Sequence, residues 1–156
     1  MGVRNQNMPL IGTRKYNLMS NFVIKTGYSS MDIKAIHDFL CHESYWAKGI
    51  SLASVHKSLQ HSFCVGMFDG DKQIGFARLI TDYTIFGYLA DVYILKPYRG
   101  KGLSKQLIQY ILDLDFVQKL RRMLLSTLDA QTLYQQLGYD NLAHPERMME
   151  LKPKNV

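Results

Sequence analysis

The stretch Asp91-Val92-Tyr93-Ile94-Leu95-Lys96-Pro97-Tyr98-Arg99-Gly100-Lys101-Gly102-Leu103-Ser104 passes from an apolar run, Phe86 to Leu95, into a segment where Leu103, Leu107, Ile108, Ile111 and Leu112 recur at helical spacing. A strand, a tight glycine-bearing loop and an amphipathic helix follow one another. Such a loop presents consecutive backbone N–H groups at a helix N-terminus, and glycine lets a bulky anion come close to the main chain. Together these features describe a cradle for a pyrophosphate, with Arg99 and Lys101 adding positive charge beside it. The spacing matches neither Gly-x-Gly-x-x-Gly nor Gly-x-x-x-x-Gly-Lys, which disfavours dinucleotides and nucleoside triphosphates. Any tight strand-to-helix turn can use glycines, so these residues alone leave a purely structural turn open.

Working outward, Asn21 to Gly27 reads as a strand. Ser30 is placed to cap a helix in which Met31, Ala35, Ile36, Phe39 and Leu40 recur up to about His42, and Ser51 to cap a second with Leu52, Val55, His56 and Leu59 on one side. The loop between them holds Tyr45, Trp46 and Gly49. Phe63 to Phe68 and Gln73 to Thr81 form a hairpin about Asp69-Gly70-Asp71. Beyond the glycine loop come a short strand, Arg122 to Thr127, a helix through Ala130, Leu133, Tyr134 and Leu137 stopped by Gly138, and a last strand over Glu146 to Leu151. The order is β-α-α-β-β-β-α-β-α-β, an α/β fold with a mixed central sheet flanked by helices. The strand-loop-helix-strand around Gly100 is expected to be a right-handed parallel crossover.

The 156 residues suit one domain. Residues 1–19 show no periodicity, and a start-like Met19-Ser20 pair lies just before the first strand-like run, so residues 1–19 are read as an N-terminal extension, with residues 20–156 as the domain. The net charge of +6 suggests nucleic acid until it is located. Residues 1–25 hold Arg4, Arg14, Lys15 and Lys25 and no acid, leaving fifteen bases against thirteen acids elsewhere. The folded part is nearly balanced, so a nucleic-acid partner is not expected. No run of 18 apolar residues occurs and no membrane partner is expected; two cysteines, Cys41 and Cys64, with no secretory leader fit a cytoplasmic protein.

The segment 90–104 resembles the acetyl-CoA-binding motif of the GNAT acetyltransferase superfamily, Gln/Arg-x-x-Gly-x-Gly/Ala after a splayed strand. Ala130-Gln131-Thr132-Leu133-Tyr134-Gln135-Gln136-Leu137-Gly138-Tyr139 is similar to that family's Ala-x-x-Leu-Tyr-x-x-x-Gly-Phe helix. Two motifs in the right order with a strand between them are more specific than either. The similarity of layout covers roughly Phe22 to Leu151. It implies acetyl-CoA as co-substrate, the backbone around Ile94 and Leu95 pairing with its pantetheine arm, and the amides of Gly100, Lys101, Gly102, Leu103 and Ser104 on its pyrophosphate. It also implies that Tyr134 lies near the sulfur and protonates the departing thiolate. Two departures stand out: Ser104 where the family prefers Gly or Ala, and Lys96-Pro97 where relatives carry proline and then an acid.

Transfer to an amine needs a proton acceptor and donors for the oxyanion. Asp91, the carboxylate of its strand, is a candidate base or ammonium anchor, with a salt bridge as the structural alternative. Asp82 and Tyr83, ending the neighbouring strand, are further candidates, Tyr83 as a substrate contact, and a turn Asp with a packed Tyr is the alternative. Trp46 is a candidate aromatic wall for substrate or a core residue, and Tyr134 without the motifs would read as core. No metal-ligand spacing occurs, and no metal is expected. The sequence thus reads as an N-acetyltransferase passing acetyl from acetyl-CoA to a primary amine by direct transfer in a ternary complex. The alternative is a non-catalytic acyl-CoA-binding sensor or scaffold. The last strand, if exposed, could pair two subunits into a homodimer.

Overall fold

The computed structural model describes residues 22–153; the N-terminal extension lies outside the described residues. Five strands, β1 (Phe22–Thr26), β2 (Phe63–Asp69), β3 (Lys72–Thr81), β4 (Phe86–Ile94) and β5 (Arg122–Leu125), lie side by side in chain order. The first three pairings are antiparallel and β4–β5 is parallel. The parallel pair is the one joined through the glycine loop and α3 (Leu103–Leu112), because only a crossover helix returns the chain to the same end of the sheet. β2 is buried along nearly its whole length, which is why Phe63 to Phe68 reads as an unbroken apolar run.

Each sheet face is covered by helices. On one, α1 (Ile33–His42) and α2 (Leu52–Gln60) bring Ile36, Phe39, Leu40, Val55 and Leu59 against Cys64, Phe76 and Tyr93. Phe39 stacks on Tyr93 at 3.7 Å between centroids, 10° from parallel, tying α1 to β4. On the other face Leu103, Leu107, Ile108 and Ile111 of α3 pack on Val65, Met67, Leu79 and Leu89. A short α4 (Gln131–Gln135) follows β5, and Gly138 at φ 89 lets the chain leave it.

Two expectations need correction. Asp32, not Ser30, caps α1, its carboxylate accepting from the Ala35 N–H at 3.0 Å. Tyr28–Ser30 closes a 3₁₀ turn, with the Met31 N–H donating to the Tyr28 carbonyl, so the helix begins only after that turn. Ser51 does cap α2. The last strand over Glu146 to Leu151 does not form: Pro145–Arg147 is a 3₁₀ turn and residues 148–151 pair with no strand. Met149 and Leu151 stand 96% and 88% exposed, because a strand needs a neighbour's N–H and C=O groups as well as an apolar pattern.

Candidate active site

The site begins where two strands part. β4 and β5 pair only from Phe86 to Leu89, so Ala90–Ile94 runs on with no partner on the β5 side. The Leu95 N–H donates to the Ile74 carbonyl at 2.8 Å, on the β3 side. By strand alternation the backbone of Ile94 faces the other way, into the opening. There its carbonyl accepts from Arg99 Nε at 2.8 Å. The free edge suited to an extended ligand arm is therefore that of Ile94; Leu95, expected to share the role, has its N–H bound to Ile74 and its carbonyl accepting from Tyr98.

At the end of this edge lies the glycine loop. Gly100 and Gly102 have φ of 77° and 72°, the left-handed region costly for other residues. A Cβ on either would meet nothing within 4 Å, so the loop is open toward solvent. Gly102 starts α3 and no side chain caps it, which leaves the first N–H groups of a ten-residue helix directed outward at its positive end. The cleft beside it, about 440 Å³, is lined by Ile94, Arg99, Gly100, Gly102, Leu103 and Ser104 among others. Those residues fit a diphosphate through bare amides, the Ser104 hydroxyl and one guanidinium, while the carboxylates of the same cleft are Glu43 and Asp129. Lys101 is set apart, its ammonium 5.6 Å from the Tyr98 ring centroid.

The other end of the opening rests on a bulge. Arg78 opposes Ala90 and Phe76 opposes Tyr93, so β4 has one more residue than β3 in this interval, and Asp91 within it has φ 53. Both Asp91 oxygens are engaged: Arg78 Nε donates to one at 2.5 Å and Trp46 Nε1 to the other at 2.9 Å. Side-chain exposures of 17% for Arg78 and 9% for Asp91 make this a largely desolvated pair. Arg78 also donates to Ser62 Oγ at 3.1 Å, and Ser62 donates to the Ser58 carbonyl at 2.8 Å. A hydrogen-bonded chain thus runs from the 44–50 loop through the bulge to α2. Asp91 takes the salt-bridged form of its two sequence readings. Arg78 went unnoticed there, although a lone cation inside Ile74–Ile80 requires a buried partner.

Trp46 and Tyr134 join the two ends, since both line the cleft beside the glycine loop and the adjoining cleft of about 670 Å³ that ends at Asp91. Trp46 meets Tyr45 edge-on at 4.9 Å, and the Tyr45 hydroxyl accepts from the Leu128 N–H at 3.1 Å, anchoring this roof across the opening. Tyr134 is 9% exposed and packs edge-to-face on Tyr139 at 5.6 Å. Burial, with the Tyr45 phenol adding to it, pushes its hydroxyl up to about 12, so it keeps its proton at neutral pH.

Tyr83 is not brought to either cleft. It sits at φ 62 in a tight turn and packs on Phe63 and Phe116, ring centroids 6.4 and 5.1 Å away. Asp82 accepts from the N–H groups of Thr84, Ile85 and Phe86, which hold its carboxyl down at about 2. That is a turn-forming Asp with a packed Tyr. Cys64 is buried, and desolvation pushes its thiol up to about 12, leaving it without thiolate. Among the described residues no group of three His, Cys, Asp or Glu side chains is placed to hold a metal, and no helix is long and apolar enough to cross a membrane.

A mixed five-stranded sheet splayed at β4 and β5, with an uncapped glycine-led helix at the opening and helices on both faces, defines the class of fold to which this chain belongs. Residues 54–139 match the model of the acetyltransferase (GNAT) family, and the chain belongs to that family. A GNAT-family protein of Xanthomonas campestris pv. campestris is 39% identical, covering 86% of this chain and 94% of its own, with a TM-score of 0.83. A Gibberella zeae protein, assigned to the acetyltransferases by inference, is 27% identical over 134 residues, 73% of this chain and 76% of its own. A Staphylococcus aureus protein of the same fold is 20% identical, with a TM-score of 0.68 over 84% of this chain and all of its own.

Proposed function

We propose that this acetyltransferase passes acetyl from acetyl-CoA to a primary amine by direct transfer in a ternary complex. The observation that carries the reading is the shared cleft: Trp46 and Tyr134 border both the glycine loop and the acceptor end, so donor and acceptor meet without an intermediate carrier. The buried Cys64, held in its thiol form, argues against a covalent acyl-cysteine there. Acetyl-CoA brings the thioester whose carbonyl is attacked. The chain supplies the rest. The N–H groups at Gly102, Leu103 and Ser104 hold the pyrophosphate, and the Ile94 edge aligns the extended arm. An N–H on that edge is the donor suited to a developing oxyanion. The amine attacks as its free base, its ammonium proton having passed to solvent water. Tyr134, protonated and buried at the junction, then gives its proton to the thiolate and is reprotonated by the proton that the acylated nitrogen sheds. Asp91 acts through Trp46 and Arg78 to position the roof and the bulge, its oxygens being already engaged.

A non-catalytic acyl-CoA sensor would need the glycine loop but has no use for a protonated phenol between two clefts. Initial-rate kinetics by free-thiol release, with acetyl-CoA and a pool of primary amines varied together, test the proposal. Intersecting double-reciprocal lines are expected. Parallel lines, or an acetylated enzyme seen by mass spectrometry without amine, would overturn direct transfer, and saturable acetyl-CoA binding with no thiol release would favour the sensor.

A further inference from the structure

We infer that the acceptor is a small monocationic amine with an aromatic or branched apolar body, and that Asp129 receives its ammonium; this rests on the acetyl-transfer reading above. Four of the chain's exposed large apolar side chains, Tyr45, Trp46, Ile80 and Leu128, come from three separate segments and line the single cleft of about 670 Å³. Tyr88 lines it too. Exposed apolar groups scattered singly need no explanation, but their convergence on one concave surface marks a binding wall. Two of them, Tyr45 and Trp46, form an edge-to-face pair at 4.9 Å and 84° and so present aromatic faces suited to an ammonium or a ring.

Charge narrows the class further. The carboxylates lining this cleft are Asp91 and Asp129, and the cation is Arg78. Asp91 and Arg78 neutralise each other across 2.5 Å, so the pair offers no net field to a ligand. Asp129 is exposed and makes no ion pair among the described residues. One uncompensated carboxylate in an apolar cleft matches one ammonium. A polyamine or aminoglycoside would bring several cations against a single anion and lay polar surface on Ile80 and Leu128, at a desolvation cost. A monoamine with an apolar body leaves nothing unpaired.

The chain has a single tryptophan, Trp46, so its emission reports this cleft directly without any turnover. The test compares 2-phenylethylamine with spermidine and kanamycin on the full chain, by Trp46 emission without acetyl-CoA and by thiol release with it. Saturable quenching by 2-phenylethylamine is expected, with kcat/KM at least about tenfold above either polycation, the factor that one desolvated cation–π contact supplies. Asp129→Asn is expected to raise KM for 2-phenylethylamine about tenfold and to weaken its quenching of Trp46 without acetyl-CoA by the same factor, a readout that does not depend on the glycine-loop cleft that Asp129 also borders. Preference for spermidine or kanamycin would overturn the acceptor class and leave acetyl transfer standing. Quenching by 2-phenylethylamine with no thiol release from any amine would overturn acetyl transfer and leave the cleft's ligand class standing. No quenching and no release, or an unchanged KM in Asp129→Asn, would overturn the inference itself.

Discussion

The two ends of the cleft are built in different ways. The glycine-loop end is local: Ile94, Arg99, Gly100, Gly102, Leu103 and Ser104 fall within eleven consecutive residues and present mainly backbone N–H groups. The end beneath Trp46 is assembled from afar. Trp46 bonds Asp91 across 45 positions and Leu128 bonds Tyr45 across 83, and the action lies in side chains. Backbone chemistry depends on conformation and on little else, so it leaves a motif in the sequence. Side-chain chemistry on a composite wall leaves none. The two ends are also coupled mechanically, since the Trp46 loop is tied through Asp91 to a bulge in β4, the strand that leads into the glycine loop.

The largest effect is expected where the backbone acts. Gly102→Val fills the approach to the amides and should abolish the acetyl-CoA thermal shift, a stabilisation of about 2.7 kcal/mol at a hundredfold excess over Kd. Its φ of 72° adds a cost of about 1–2 kcal/mol to the fold. Gly138→Ala, at φ 89 beyond α4, carries a similar backbone cost and should keep the shift. If both variants lose it, the effect is general destabilisation and the local cradle is wrong.

At the junction, Tyr134→Phe keeps the ring on Tyr139 and removes only the hydroxyl. Turnover should fall about 10²-fold, the low end for general acid catalysis because a CoA thiolate leaves tolerably unprotonated. Melting temperature and acetyl-CoA affinity should hardly move. Full activity with a lowered melting temperature would return Tyr134 to the core.

At the acceptor end, Asp91→Asn tests the long-range tie. Asparagine tolerates the positive φ, so the bulge should survive. The amide cannot satisfy both Arg78 and Trp46 as acceptor, and a stability loss of about 2–3 kcal/mol by denaturant titration is expected, the range for hydrogen bonds to charged groups. Trp46 emission should shift and the amine KM rise, while acetyl-CoA binding stays near normal. An unchanged emission spectrum would show that the roof does not depend on Asp91.

The smallest effect lies outside the cleft. Three backbone donors hold Asp82 ionised down to about pH 2. Because its carboxyl is depressed below the ordinary value near 4, its contribution to the turn is present above about pH 4 and is lost as pH falls toward 2. An Asp82 carboxyl resonance titrating near 4 in a carbon-detected NMR experiment would show that the turn does not form as described.

Several elements were legible because their causes are local. The hairpin announced itself through Asp69-Gly70-Asp71, the start of α2 through Ser51, and the end of α4 through Gly138. Ser30 misled because a 3₁₀ turn and Asp32 competed for the same helix start. Tyr83 misled because nearness to a strand end says nothing of the face toward which a left-handed residue turns its side chain. Asp129 passed unremarked, since an exposed Asp before a helix is ordinary until a cleft surrounds it.

By itself the sequence determined the backbone devices: glycines with positive φ, an uncapped helix start, the strand that feeds it, and the tyrosine one helix later. Each follows from conformational preferences acting over a few residues. Only the tertiary structure decided that Asp91 is engaged by Arg78 and Trp46, that Tyr83 belongs to another face, and that Glu146 to Leu151 forms no strand. Ion pairs, walls and strand pairing all depend on partners that the fold, not the neighbouring residues, brings within bonding distance.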